Sequence, residues 1–170
     1  MTDMERDKGF NDPGVSQVLQ DTKALIEDVQ SLGAKQDLPT SEAKADRFAE
    51  LLRAWETLES YQFTLREYQT GKRQLPQGYL DTYTRIAYSI ISVDQQMLGL
   101  GIGYYARFQR AKVEKLSEAI WLHGGESADT QERRVVKEAV RNVSSAIPDD
   151  IAPDDAKEIA RFMREFGTRL

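Results

Sequence analysis

The sequence predicts an all-α protein, a single-domain bundle of about six helices with a buried central helix near residues 79–98. Apolar residues recur with the 3.6-residue period of an amphipathic helix over six segments. Short connections with glycine or proline separate these segments. No segment shows the sustained alternation that is typical of a strand. We therefore expect residues 1–13 to be a flexible tail and residues 14–170 to form one helical domain.

Local signals mark the ends of the first two helices. Asp12 suits the N-cap of the first helix because its carboxylate can accept backbone N–H bonds, and Pro13 suits the first helical position. Gly33 is the predicted end of this helix. A longer second helix follows Thr40 and ends at Gly71.

Residues 79–98 carry apolar side chains around most of the helical circumference, which is typical of a helix buried on all sides. Three glycines follow, at Gly99, Gly101 and Gly103. In a continuous helix the first and last of them would share one face and permit close helix packing. Each glycine costs about 1 kcal/mol relative to alanine in a helix interior, which favours a break between the third and fourth helices. No strand precedes the glycines, so they do not match a phosphate-binding loop.

The last three helices also have clear boundaries. The fourth ends at the glycine pair 124–125, and Asp129 or Thr130 is the predicted cap of the fifth, which ends before Pro148. Pro153 begins the sixth, whose first turn carries carboxylates where the helix dipole favours negative charge.

Composition excludes several classes of function. The chain has no cysteine, which excludes disulfides, thiolate metal sites and cysteine nucleophiles. Its one histidine, His123, has Ile120 three residues before it, so the paired Glu-x-x-His motifs of di-iron bundles are excluded. We expect His123 to lie at a helix C-terminus. We predict no catalytic residue, no metal and no cofactor, and no enzymatic activity. Without a secretory or membrane-spanning segment, the expected location is cytoplasmic.

The segment 104–115, YYARFQRAKVEK, combines aromatic and basic residues. One interpretation is an amphipathic core helix with solvated charges. The other is a surface that binds acidic groups of a protein partner, because tyrosine and arginine are enriched at interface centres. The fifth helix adds a second basic cluster. The candidate partner-binding residues are Tyr105, Arg107, Arg110, Lys112, Lys115, Arg133 and Arg134. At a net charge of -5, nucleic acid could bind only through this local basic face, and no membrane contact is expected.

Residues 105–115 resemble the helical domain of GINS subunits, the scaffold of the replicative helicase in archaea and eukaryotes, which has a helix of the type Tyr-x-Arg…Lys-Ile-Glu-Lys. Residues 152–155 (APDD), followed by Phe-Met at 162–163, are similar to the Ser-Pro-Glu-Glu start of a later helix in that family. The Ala-Trp pair at 54–55 is similar to an early pair. The helix at 131–147 departs from the family pattern, and the small β-domain of GINS subunits is missing. The resemblance implies a non-catalytic subunit of a replication assembly.

Other interpretations stay open at this point. The length, Tyr83-Thr84-Arg85 and the closing segment 154–162 are similar to phycobiliproteins, although no cysteine is present to attach a chromophore covalently. The sequence therefore predicts a non-catalytic helical assembly or scaffold subunit that binds a protein partner or associates with itself. The alternatives are a phage, virion or other structural assembly protein, and a globin-like or phycobiliprotein-like protein that binds a cofactor non-covalently.

Overall fold

The computed structural model describes residues 13–34, 38, 40–71 and 74–169, and within them the chain forms six α-helices and no strand. The helices are α1 (Pro13–Ala34), α2 (Ser41–Gln69), α3 (Tyr79–Gly99), α4 (Ile102–His123), α5 (Ala128–Ala146) and α6 (Pro153–Phe166), with short 3-10 turns at Gly125–Ser127 and Gly167–Arg169. The predicted all-α fold is confirmed. The expected tail lies outside the described residues except for Pro13, which begins α1, and the predicted cap Asp12 also lies outside them.

The chain divides into two compact units, residues 1–96 and residues 97–170. In the first unit α1 and α2 form an antiparallel hairpin. The end of α1 lies beside the start of α2, where the guanidinium of Arg47 donates a hydrogen bond to the carbonyl of Leu32. Their facing sides supply most of this unit's core: Val15, Val18, Ile26 and Val29 from α1, and Leu51, Ala54, Trp55, Leu58 and Leu65 from α2.

The helix α3 completes the first unit as a third antiparallel element. At its start the Tyr79 hydroxyl donates a hydrogen bond to the carbonyl of Leu65 in α2. Towards its end the Gln96 amide Nε2 donates to the carbonyl of Val29 in α1, at 3.1 Å. The chain of this unit therefore runs up, down and up.

The prediction that the helix near 79–98 is buried nearly all round is wrong for one side. Within the first unit α3 buries Tyr79, Ile86 and Val93, whereas Leu80, Tyr88 and Ile91 are 65%, 70% and 53% exposed. The reason is geometric: a helix that packs on two neighbours from one side leaves its opposite side uncovered.

The glycine-rich segment is a break between two helices, as predicted. The helix α3 ends at Gly99, and Gly101 precedes α4 with φ at +119° and ψ at 157°. L-amino acids with a side chain rarely adopt this conformation, whereas glycine adopts it without a steric penalty. Glycine at this position therefore allows the break between the end of α3 and the start of α4.

The second unit is built around α4, which packs against both α5 and α6. Its buried side chains come from all three helices: Ile102, Tyr105, Phe108 and Val113 from α4, Val136, Ala139 and Val143 from α5, and Ile159, Phe162 and Phe166 from α6. The rings of Phe162 and Phe166 lie 4.9 Å apart in a tilted arrangement. This unit has α4 as its central helix.

Two predicted helix starts have different outcomes. Thr40 caps α2, because its hydroxyl accepts the backbone N–H three residues later at 3.0 Å. The prediction of Asp129 or Thr130 as cap of α5 is wrong, because the 3-10 turn Gly125–Ser127 leads directly into a helix that begins at Ala128. Gly33 lies inside α1, one residue before its end.

Candidate interaction surfaces

The aromatic residues of the segment 104–115 lie mostly inside the second unit. Tyr105 is only 4% exposed and Phe108 is fully buried, with their ring centroids 6.4 Å apart. Tyr105 was expected to anchor a partner, but its ring contributes to the unit's own core. The amphipathic core-helix interpretation therefore applies to the apolar side of α4.

The arginines of the same segment join α4 to α6. Arg107 forms an ion pair with Glu158 at 3.0 Å, and Arg110 forms one with Glu165 at 3.1 Å. The guanidinium of Arg107 also lies over the Tyr104 ring, 5.3 Å from its centroid. The two partner-binding arginines predicted in this segment thus have intramolecular carboxylate partners, although half of the Arg107 side chain remains exposed.

The remaining predicted cations differ in accessibility. Lys112 is half-buried, with its ammonium 5.3 Å from the Phe108 ring centroid, and Lys115 is exposed. Arg133 forms a pair with Asp129 at 3.1 Å, in which both side chains are mostly exposed. Such exposed pairs contribute only about 0.5 kcal/mol, so Arg133 remains available for other contacts. Arg134 is exposed.

Arg134 belongs to one of two basic rows on the outer sides of α5 and α6. The α5 row consists of Arg134, Lys137 and Arg141, and the α6 row consists of Lys157, Arg161 and Arg164; all six side chains are exposed. The α6 row was missed by the sequence analysis. Its spacing of four and three residues, opposite the buried Ile159, Phe162 and Phe166, is the signal that could have revealed it.

A second surface missed by the sequence analysis is the apolar α3 stripe, which we define as Leu80, Tyr88 and Ile91. Each of these side chains is more than half exposed. Their separations of eight and three residues place them along one side of the helix. The apolar pattern of residues 79–98 predicts that this side is buried, whereas the structure leaves it exposed.

A groove lies between α1 and α2 in the first unit. Its volume is about 410 Å³. It is lined by Leu25, Asp28, Ser31 and Leu32 from α1 and by Glu50, Arg53, Ala54 and Thr57 from α2. Its charged side chains are two carboxylates and one guanidinium, so its polarity is mixed.

Two phenols of the first unit have perturbed acidity. Burial raises the pKa of Tyr79, and the neighbouring phenols of Tyr83 and Tyr68 raise it further. Burial also raises the pKa of Tyr61, with a smaller contribution from the Asp21 carboxylate. Both groups therefore keep their protons at neutral pH.

His123 lies at the C-terminus of α4, as predicted. It is the last residue of the helix and is exposed, and the next residue, Gly124, donates its N–H to the carbonyl of Ile120 at 2.5 Å.

In residues 13–34, 38, 40–71 and 74–169, no three histidine or carboxylate side chains are grouped closely enough to hold a metal ion. None of the helices over the same ranges has the length and apolar character needed to span a bilayer.

Comparisons of the chain with protein-family models, with curated proteins and with solved structures give no match.

Proposed function

We propose that the protein is a non-catalytic subunit of a protein assembly and that it associates through the α3 stripe. The observation that carries this proposal is the exposure of three large apolar side chains along one side of a single helix. Isolated exposed apolar residues are normal on protein surfaces, but an aligned set on one element is typical of an interaction site.

The occupant of this surface is a second copy of the chain. Two antiparallel α3 helices related by a two-fold axis near residues 89–90 would place Tyr88 of each copy opposite Ile91 of the other. The same axis places Thr84 opposite Gln95, so that apolar side chains meet apolar ones and neutral polar side chains meet neutral polar ones. This is the self-complementarity that a two-fold interface requires.

Charge at the edge of the stripe does not oppose this pairing. Asp81 and Arg85, one turn apart on α3, form an ion pair at 3.0 Å. The stripe itself contains no charged residue. Two copies can therefore approach without bringing uncompensated like charges into contact.

We further propose that this assembly acts in DNA replication, and the resemblance to GINS helical domains supports this role. The two longer segments that carry the resemblance pack against each other in the second unit, since Arg107 in the first contacts Glu158 in the second. We place this subunit in the cytoplasm, because a chain without cysteine fits a reducing compartment.

The test is light scattering on the purified full chain during size-exclusion chromatography, with the wild type and the variants Ile91→Glu and Leu122→Glu. Leu122 is 71% exposed at the end of α4 and provides a matched control for placing a carboxylate at an exposed aliphatic position. We expect the wild type and the control to have twice the chain mass of 19.3 kDa, and Ile91→Glu to have that mass once. Circular dichroism would verify that all three remain helical.

Three results would contradict the proposal. They are a monomeric wild type, an Ile91→Glu variant with the wild-type mass, and equal dissociation of the Leu122→Glu control. Absorbance of the purified protein beyond that of tryptophan and tyrosine would favour the cofactor-binding alternative over a non-catalytic assembly subunit.

A further inference from the structure

The two units differ in charge. Residues 1–96 contain eleven lysines and arginines against sixteen aspartates and glutamates, whereas residues 97–170 contain twelve of each. The net charge of -5 therefore belongs to the first unit, and the second is neutral overall. The overall acidity of the chain does not describe the surface of the second unit.

Positive and negative side chains of the second unit are distributed unequally. Its carboxylates Glu132, Glu158 and Glu165 form ion pairs with arginines of other elements. By contrast, no member of the α5 row or the α6 row has an ion-pair partner within the described part of the chain. The six unpaired cations lie opposite the buried sides of their helices.

The carboxylates that flank the rows do not cancel this charge. Glu138 lies on α5 beside the α5 row, and Asp154 lies in the first turn of α6 beside the α6 row. Against the six cations of the two rows, these two carboxylates leave four positive charges in excess. The first and last cations of each row are seven residues apart in sequence, or about 10 Å along the helix axis.

The composition of these surfaces favours nucleic acid over a protein partner. Interfaces between proteins depend on aromatic and aliphatic side chains at their centres. The large apolar side chains that are exposed in the described residues lie on α2, α3 and α4, and none lies on α5 or α6. A phosphate backbone, by contrast, needs only cations and polar groups for binding.

We infer that the α5 row and the α6 row bind the phosphate backbone of double-stranded nucleic acid without sequence preference. Over the length of each row a duplex carries about six phosphates, which is enough to engage all three cations. The exposed side of neither helix presents an aromatic ring on which an unpaired base could stack, so a duplex fits better than a single strand. Neither row includes a residue of the α3 stripe.

The test is fluorescence anisotropy of a labelled DNA duplex of mixed sequence, titrated with the full chain between about 50 and 200 mM salt. Two triple variants remove one row each: R134Q/K137Q/R141Q and K157Q/R161Q/R164Q. The matched control, K23Q/K44Q/R53Q, makes the same change in net charge in the first unit. Circular dichroism verifies that each variant keeps its helix content.

For three to six phosphate contacts we expect log K to fall with log salt concentration with a slope of about -3 to -5. Removal of either row should weaken binding and reduce that slope by up to about three, whereas the control should match the wild type. The inference is overturned if the wild type does not bind the duplex at low salt, or if the control loses as much affinity as the row variants. It is also overturned if the rows bind polyglutamate but not the duplex, since this would identify an acidic protein as the partner.

Discussion

The substitution Gly101→Ala isolates the energetic role of the break between α3 and α4. Gly101 has φ at +119° and ψ at 157°, and a Cβ added there would have no atom of the described residues within 4 Å. Steric contact with neighbours therefore contributes nothing, and the backbone conformation alone sets the cost. Holding a residue with a side chain in this region costs about 1–3 kcal/mol, so we expect the free energy of unfolding to fall by that amount.

Gly99→Ala is the matched control for this substitution. Gly99 is the last residue of α3, a Cβ there would also be uncrowded by the described residues, and its φ lies outside the region that favours glycine. Alanine at such a position restricts the unfolded chain and stabilises the protein by up to about 1 kcal/mol. Two glycine-to-alanine changes two positions apart should therefore shift stability in opposite directions.

Urea denaturation followed by far-ultraviolet circular dichroism measures both effects. The transition of the second unit should move to lower urea in Gly101→Ala and stay in place or move to higher urea in Gly99→Ala. If the free energies of unfolding of the two variants agree within about 0.5 kcal/mol, which is the range of neutral surface substitutions, the backbone at Gly101 does not require glycine.

Three further predictions concern packing and acidity. Gly103→Ala should lower the free energy of unfolding by only about 1 kcal/mol, because the new Cβ displaces the Asp155 carboxylate, which can rotate away at the end of its side chain. Adding Asp155→Ala should remove this loss, and additive effects in the double-mutant cycle would refute the contact. Phe162→Ala should cost about 3–5 kcal/mol in urea denaturation because this side chain is only 1% exposed, and a loss below about 1 kcal/mol would contradict its place in the core. Burial raises the pKa values of Tyr79 and Tyr61, so these phenols lose their protons at lower pH in the unfolded chain than in the folded one. The two protonated phenols therefore contribute their full stabilisation below about pH 10, the ordinary pKa of tyrosine. This stabilisation declines as the pH rises through the pKa values of the folded protein. Denaturation at rising pH measures this decline, and an unchanged stability well above pH 10, or phenolate absorbance in which all seven tyrosines titrate together, would disprove it.

The helices could be predicted from the sequence because their boundaries depend on nearby residues. The hydroxyl of Thr40 caps α2 through a backbone N–H only three residues away. Pro153 begins α6, and Gly101 allows the break before α4. Each signal acts over a few residues, so a single sequence contains it completely. The start of α5 was missed because a 3-10 turn leads into that helix without a side-chain cap from the described residues.

The interaction surface could not be predicted from local pattern because pairing over long sequence separations decides which charges are available. Arg107 and Arg110 have the spacing of an exposed basic row, but their partners Glu158 and Glu165 lie more than fifty residues away on α6. The cations of the α6 row follow a similar spacing and remain unpaired within the described residues. A periodic pattern places a charge on a side of a helix, whereas tertiary packing determines whether a carboxylate meets it there.

The error at α3 has a different cause, and it bears on function. An apolar side chain in a sequence indicates that its burial is favourable. The sequence does not show whether the same chain or another molecule buries it. One side of α3 is covered by α1 and α2, and the opposite side carries Leu80, Tyr88 and Ile91 without cover in the described chain. A helix of a self-sufficient monomer would gain solubility from polar residues at those positions, at little cost in stability. Their apolar character is what a subunit requires when its fold covers one side of a helix and its assembly covers the other.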